Sequence, residues 1–302
     1  MSYVGPDFDP PQPRRPRRGP LTVALAALVP GALIGWFVYE AVGSPGGGSS
    51  AHASSASADA SPSPTSTASN DDKPPGPSPL KGKVVVIDPG HNVTNFQHTT
   101  EINRKVDIGT NWKECDTTGT STNAGYSEAQ FTMDVSHRLK ALLEKQGVTV
   151  KLTHDTGSPS WGPCVDQRAR FGNDAHADAA LSIHADGAPA GDRGFHVILP
   201  ASVHAGGADT RAIVGPSAVL GRDIASNYLR ATGEPFSNYV GDGTGLDTRK
   251  DLGGLNLSTV PKVFIECGNM RDSNDAALLT NGAWRQKAAQ GISEGIVSFL
   301  RG

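Results

Sequence analysis

The chain alternates between short apolar runs rich in β-branched residues and segments with helical periodicity. Such runs, which lack polar alternation, are typical of strands buried on both faces of a sheet. Strands are predicted at residues 84–87, 148–153, 179–186, 194–199 and 260–269. Each strand is followed by a turn or by a polar segment, which marks its end.

The segments between these strands contain the predicted helices. In residues 126–147, Phe131, Val135 and Leu139 recur every four positions, and Gly147 is a suitable helix stop. Further helices are predicted at 166–173, 216–231, 272–279 and 283–300, and loops at 93–125, 154–165 and 236–258. Strand, helix and strand in succession indicate βαβ units. The pattern therefore predicts one α/β domain built on a parallel sheet.

The first eighty residues differ in composition from the rest of the chain. Residues 1–20 are Pro-rich and basic, and residues 21–39 are an uncharged stretch close to the length of a membrane-spanning helix. The arginines favour a cytoplasmic N-terminus, which leaves the C-terminal bulk outside the membrane. The alternative is a secretory signal that is cleaved near Gly43, after the small-residue sequence Ala41-Val42-Gly43.

Residues 40–80 are dominated by Ser, Ala, Pro and Gly. This composition buries too little apolar surface to offset the entropy of the chain, so we expect a disordered linker. Residues 81–302 are long enough for one domain with a sizeable core. The sequence thus predicts a folded extracytoplasmic domain on a flexible tether.

Charge and cysteine content narrow the possible partners and compartments. The net charge of −3 and the pI of about 6.3 give no basic footprint for nucleic acid. Cys115 and Cys164 lie in two predicted loops, and in an exported domain they are expected to form a disulfide. Two free thiols are the alternative. Cys267 lies in an apolar strand and is predicted to be a buried packing residue.

Three predicted strands deliver a chemically active side chain at or just beyond their ends: His91, His184 and Glu266. Glu128 lies at the start of a predicted helix. Carboxyl ends of neighbouring parallel strands share one edge of a sheet, so these side chains would converge there. Two histidines and one carboxylate are a ligand set of hydrolytic zinc sites, and a second carboxylate can transfer protons. Taken singly, each residue fits a structural role equally well.

Four motifs together resemble the zinc-dependent N-acetylmuramoyl-L-alanine amidases of the Amidase_3 type. They are Asp88-Pro89-Gly90-His91, Glu128 opening a helix, Ser182-Ile183-His184-Ala185-Asp186, and Val263-Phe264-Ile265-Glu266-Cys267-Gly268-Asn269-Met270. The resemblance covers residues 83–301. It implies an α/β fold with a mixed, mostly parallel twisted sheet flanked by helices on both faces. It also implies cleavage of the amide between N-acetylmuramic acid and L-alanine of the peptidoglycan stem peptide.

The resemblance also implies roles for single residues. His91, Glu128 and His184 would bind one Zn²⁺ ion, and Glu266 would act as general base and then as general acid. Asp88 is predicted to orient His91 or to cap its turn. Arg168 and Arg170 are predicted to form a solvated helix face, with contact to the acidic stem peptide as the alternative.

Two other functions remain open from the sequence. One is a zinc carboxypeptidase or aminopeptidase that acts on wall peptides, although no second set of metal ligands is evident. The other is a peptidoglycan-binding protein without catalysis, which the presence of all four candidate residues argues against. In each case we expect a monomer held at the membrane by its N-terminal helix, facing the cell wall. The remaining strand histidine, His196, is predicted to be hydrogen-bonded or solvent-facing.

Overall fold

The computed structural model describes residues 80–302. The predicted basic N-terminus and anchor lie outside these residues, as does the predicted linker apart from Leu80. Within residues 80–302, no helix has both the length and the apolar character that crossing a membrane requires.

Six strands form the central sheet in the order β4-β1-β5-β10-β6-β9. Neighbouring strands run parallel except β10 and β6, which are antiparallel. The sheet is therefore mixed and mostly parallel, as predicted. The strands are β1 Val84–Pro89, β2 Lys105–Asp107, β3 Trp112–Glu114, β4 Thr149–Leu152, β5 Ala179–Asp186, β6 His196–Pro200, β7 His204–Ala205, β8 Ala208–Asp209, β9 Leu246–Arg249 and β10 Lys262–Asn269.

Helices cover both faces of this sheet. They are α1 Thr99–Ile102, α2 Glu128–Lys145, α3 Val165–Asp174, α4 Val214–Thr232, α5 Gly253–Asn256, α6 Ser273–Leu279 and α7 Gly282–Arg301. α2, α4 and α7 pack on one face, whereas α3 and α5 pack on the other. The prediction of one α/β domain with helices on both faces is confirmed.

The alternation of side chains in β1 divides the core between the two faces. Val85 and Ile87 point into the large core under α2, α4 and α7, and Val86 points into a small core with Ala180 and Val260. Because β1 is covered on both sides, its residues cannot alternate between polar and apolar. This explains the uninterrupted apolar run that marks the strand in the sequence.

Two predicted loops contain regular structure. The segment 93–125 holds a 3₁₀ turn at Asn95–Gln97, helix α1 and the antiparallel hairpin β2–β3. The segment 236–258 holds β9, which pairs with β6 at the edge of the sheet, and α5. The prediction of irregular loops was therefore wrong in these places, since elements of three or four residues carry too little periodicity to be recognised.

Candidate metal centre

His91 lies just beyond the last residue of β1, with a positive φ of 62°. The backbone N–H of Gly90 donates to the carbonyl oxygen of Ile183 in β5, 2.9 Å away. A Cβ atom at Gly90 would lie 2.4 Å from Cε1 of His184, so only glycine permits this approach. As a result, the rings of His91 and His184 lie 5.0 Å apart and nearly perpendicular.

Glu128 is the first residue of α2, where a capping box fixes the helix start. The Ser127 hydroxyl accepts from the N–H of Gln130, and the Gln130 side chain accepts from the N–H of Ser127. This start directs Glu128 between the two imidazoles. Its Oε2 lies 3.1 Å from Nε2 of His91, and its Oε1 lies 2.9 Å from Nδ1 of His184.

The Glu128 carboxylate is buried, and backbone groups support its charge. The N–H of Thr120 donates to Oε2 at 2.9 Å and the N–H of Ala185 donates to Oε1 at 3.2 Å. Burial alone would raise the pKa of Glu128. The adjacent imidazoles of His91 and His184 more than offset this effect and hold the pKa well below its usual value. Glu128 is therefore ionised and available as a ligand.

The contacts of His91 indicate which ring nitrogen would bind a metal. Nδ1 lies 3.1 Å from the carbonyl oxygen of Thr117 and 3.6 Å from Oδ1 of Asp116. A carbonyl oxygen only accepts, so this hydrogen bond places a hydrogen on Nδ1, and Nε2 is the nitrogen that would bind a metal once it has lost its proton. Nε2 faces Glu128, and this division of roles is the one found in metal-binding histidines.

Three donor atoms, one each from His91, Glu128 and His184, lie within 4.8 Å of one another. Among residues 80–302, they are the one group of three or more such side chains that is close enough to hold a metal ion. Imidazole nitrogen and carboxylate oxygen are ligand types that zinc favours. The residues therefore fit a single metal ion.

Glu266 completes the cluster from the neighbouring strand, because it is paired in register with His184. Its Oε2 atom is buried and accepts no hydrogen bond from the described residues. Burial and the negative charges of Glu128 and Asp186 raise the pKa of Glu266 well above its usual value. Glu266 lines an open cleft of about 340 Å³ together with His91, Glu128 and His184, here called the metal cleft.

Arg168 is buried beneath this cleft rather than solvated, so the prediction of an exposed position was wrong. Its guanidinium donates to Asp88 and Asp116, both at 2.8 Å. It also donates to the carbonyl oxygens of Pro89 at 2.6 Å and His91 at 3.1 Å. Arg168 thus ties the turn that bears His91 to the segment that contains Asp116. Arg170, by contrast, is exposed as predicted.

Removal of this guanidinium is expected to destabilise the fold. Arg168→Ala leaves Asp88 and Asp116 buried without their main cation, and such a loss costs about 3–5 kcal/mol. Arg170 lies two residues later in α3 and is exposed. Arg170→Ala is therefore expected to lower the free energy of unfolding by about 0.5 kcal/mol or less. Urea unfolding of both variants checks this prediction. Equal stability of the two variants would contradict it.

Asp88 supports the site through Arg168 and two hydroxyl groups rather than by contact with His91. Its carboxylate accepts from the hydroxyls of Thr153 and Ser182, each at 2.6 Å, in addition to Arg168. No hydrogen bond joins Asp88 and His91 in the described residues; the two are linked through Arg168, which donates to the Asp88 carboxylate and to the carbonyl oxygen of His91.

His196 in β6 is buried, and its Nδ1 atom has no hydrogen-bond partner within residues 80–302. The prediction of a hydrogen-bonded or solvent-facing side chain was therefore wrong for this nitrogen. The ring packs edge-on against Tyr239, with centroids 6.0 Å apart.

The disulfide between Cys115 and Cys164 is present, with the two Cα atoms 4.2 Å apart. It joins the segment after β3 to the residue that precedes α3. Asp116 and Arg168, which meet beneath the metal cleft, are close to its two ends in sequence. Cys267 is a free and buried thiol, as predicted.

The segment after the disulfide forms one wall of the metal cleft, although the sequence did not single out its individual residues. Gly119 has a φ of 72°, and a Cβ atom there would lie 2.7 Å from Cδ2 of His91 and 2.8 Å from Oε2 of Glu128. Thr117 and Thr120 supply the backbone hydrogen bonds to these two side chains. The available signal was Cys115, since its bridge holds the following residues against the site.

Comparisons with known proteins identify the family of this chain. Residues 85–298 match the family described as N-acetylmuramoyl-L-alanine amidase. The amidase Rv3717 of Mycobacterium tuberculosis is 42% identical over 226 residues, which are 74% of this chain and 89% of that protein.

Solved structures of two further mycobacterial amidases have the same fold. Ami1 of Mycobacterium smegmatis is 38% identical, with a TM-score of 0.68 over 74% of this chain and 98% of its own. Ami1 of Mycobacterium abscessus is also 38% identical, with a TM-score of 0.67 over 73% of this chain and 100% of its own. The chain therefore belongs to the Amidase_3 family and is an N-acetylmuramoyl-L-alanine amidase, a hydrolase of peptidoglycan.

Proposed function

We propose that this amidase works with one zinc ion held by His91, Glu128 and His184, and that Glu266 transfers the protons. The observation that carries the proposal is the convergence of three donor atoms within 4.8 Å beside a carboxylate that lines the same cleft. Bound zinc supplies Lewis acidity towards water and towards the amide carbonyl.

The protein side chains have separate tasks in this proposal. Glu266 accepts the proton of the attacking water on its carboxylate. It then donates that proton to the alanine nitrogen, so that the amide separates into a muramoyl carboxylate and a free amine. Buried Oε2 has no competing hydrogen-bond donor, which leaves it available for this transfer. The N–H groups of Thr120 and Ala185 hold Glu128 in position.

The peptidase alternative finds less support in the molecule. Zinc peptidases often use a second metal or an arginine that binds a peptide terminus. The described residues contain one metal-binding group, and Arg168 is committed to Asp88 and Asp116. The non-catalytic alternative would not require Glu266 to stand unpaired beside the three donors.

The products of hydrolysis distinguish these functions. The full-length chain is incubated with an N-acetylmuramoyl-peptide, with zinc and with a chelator, and the products are identified by mass spectrometry. We expect the intact stem peptide with a free alanine amine, and we expect it only with zinc. Release of single terminal residues would indicate a peptidase, and binding without cleavage would indicate the non-catalytic function.

We further propose that residues 21–39 anchor a monomeric enzyme in the cell membrane, with the catalytic domain facing the wall. The support is the sequence: an uncharged stretch follows an arginine cluster and precedes a Ser, Ala, Pro and Gly-rich linker. Secretion after cleavage near Gly43 is the alternative.

Cell fractionation tests the anchor. We expect the protein in the membrane fraction with residues 1–39 intact by mass spectrometry, and we expect release by external protease of a fragment that retains amidase activity. A soluble secreted form that begins after Gly43 would contradict the anchor.

A further inference from the structure

Two openings lead away from the metal cleft, and they differ in charge. The first, here called the Phe96 groove, has a volume of about 390 Å³ and shares Gly119 and Thr120 with the metal cleft. None of its nine lining residues is ionisable. The second is a cavity of about 220 Å³ that shares His91 and His184 with the metal cleft. Its lining includes the charged residues Lys113, Glu114, Asp116, Arg168 and Asp251.

Part of the lining of the Phe96 groove is apolar and exposed to solvent. Phe96 is 64% exposed and Val93 is 38% exposed, although both lie within five residues of His91. The backbone beneath Phe96 is firmly held, because the Asn95 side chain donates to Asp116 at 3.0 Å and to the Thr117 carbonyl at 2.7 Å. An exposed aromatic ring beside such an anchored residue offers a contact surface to a ligand.

Residues with hydroxyl side chains make up four of the nine lining positions of the groove. Thr118, Thr120, Ser121 and Ser127 contribute to its lining. The side-chain hydroxyls of Thr120 and Ser121 form no hydrogen bond with another group in residues 80–302, so they are available to a ligand. The groove therefore offers an aromatic face, neutral hydroxyls and no charge.

We propose that the Phe96 groove binds the glycan strand, namely the N-acetylated pyranose units that adjoin the muramoyl residue under attack. This inference rests on the proposed function, in which the cut amide joins a sugar arm to a peptide arm. Pyranose rings combine an apolar C–H face with neutral hydroxyl and acetamido groups, which complement Phe96 and the threonine and serine hydroxyls. A peptide arm carries at least one carboxylate, and the Phe96 groove has no cationic side chain to bind it.

The test compares two substrates that carry the same stem peptide. One is the N-acetylmuramoyl-peptide with a single sugar, and the other is a tetrasaccharide of the glycan strand. For the full-length enzyme, Phe96→Ala is expected to lower the ratio of kcat/KM for the tetrasaccharide to kcat/KM for the monosaccharide about fivefold, chiefly through KM. Phe96→Tyr, which keeps the aromatic face, is expected to retain the wild-type ratio.

Trp112→Ala is the matched control, because Trp112 is also 64% exposed but does not line the groove. It is expected to leave the ratio unchanged. An unchanged ratio in Phe96→Ala, or an equal loss in Trp112→Ala, would overturn the glycan assignment. Failure of wild type to release the intact stem peptide from either substrate would instead contradict the proposed function itself.

Discussion

Glu266→Gln is expected to reduce kcat for hydrolysis of an N-acetylmuramoyl-peptide by about 10²- to 10⁴-fold, which is the contribution of a general acid–base group. The amide has the shape of the carboxyl group but cannot accept the proton of water. Since His91, Glu128 and His184 are untouched, we expect one zinc ion per chain to remain bound. Steady-state kinetics and metal analysis of the same preparation provide both measurements.

Glu144, near the C-terminal end of helix α2, provides a matched control. Glu144 pairs with Lys140 on the surface, remote in sequence from every residue of the metal cleft. Glu144→Gln should retain wild-type kcat. Near wild-type turnover by Glu266→Gln would show that another group transfers the proton, and loss of zinc from this variant would show that Glu266 holds the metal.

His184→Ala is expected to weaken zinc binding by at least about 100-fold and to abolish hydrolysis. It removes one of three donor atoms, whereas loss of a group that merely orients a ligand already costs 10- to 100-fold. Zinc that binds only the folded protein raises its melting temperature. Addition of zinc should therefore raise the melting temperature of wild type clearly and that of His184→Ala little.

His137→Ala controls for the loss of a histidine as such, because the His137 side chain is 45% exposed and pairs with Asp155 on the surface. It should retain zinc and activity. Retention of zinc by His184→Ala at a chelator concentration that strips only weak sites would remove His184 from the ligand set.

The residues proposed for catalysis were predictable because each has a strong local signal. His91 and His184 each lie at or just past the end of an uninterrupted apolar run, and Glu266 lies near the end of another. An uninterrupted run of β-branched residues has few interpretations other than a buried strand, so the end of the strand can be located from the sequence alone. Parallel pairing of β5 with β1 and with β10 then brings the three side chains to one edge of the sheet.

The buried ion pairs that Arg168 forms beneath the site could not be predicted in the same way. Arg168 lies in a ten-residue helix whose apolar residues do not define a clear buried face. Its partner Asp88 is 80 positions earlier and Asp116 is 52 positions earlier. Only the packed structure shows that a guanidinium satisfies two buried carboxylates there. Arginines in short polar helices are usually solvated, so the sequence alone favoured an exposed Arg168, which was wrong.

The small elements around the cleft were missed for a different reason. Strand β9 is Leu246–Arg249, and its sequence LDTR has neither a β-branched run nor a regular alternation. It is held by backbone pairing with β6, which leaves little trace in side-chain pattern. Gly119 likewise gives no signal of its own. The need for glycine there arises from the distance to His91, which depends on the tertiary fold.

Anomalous X-ray scattering at the zinc edge, from crystals of the zinc-loaded enzyme, tests the central claim most directly. We predict one peak per chain, about 2.0–2.2 Å from one donor atom of each of His91, Glu128 and His184, with Glu266 outside bonding distance. A peak bonded to Glu266, a second zinc in the same cleft, or a peak remote from these three residues would contradict the account.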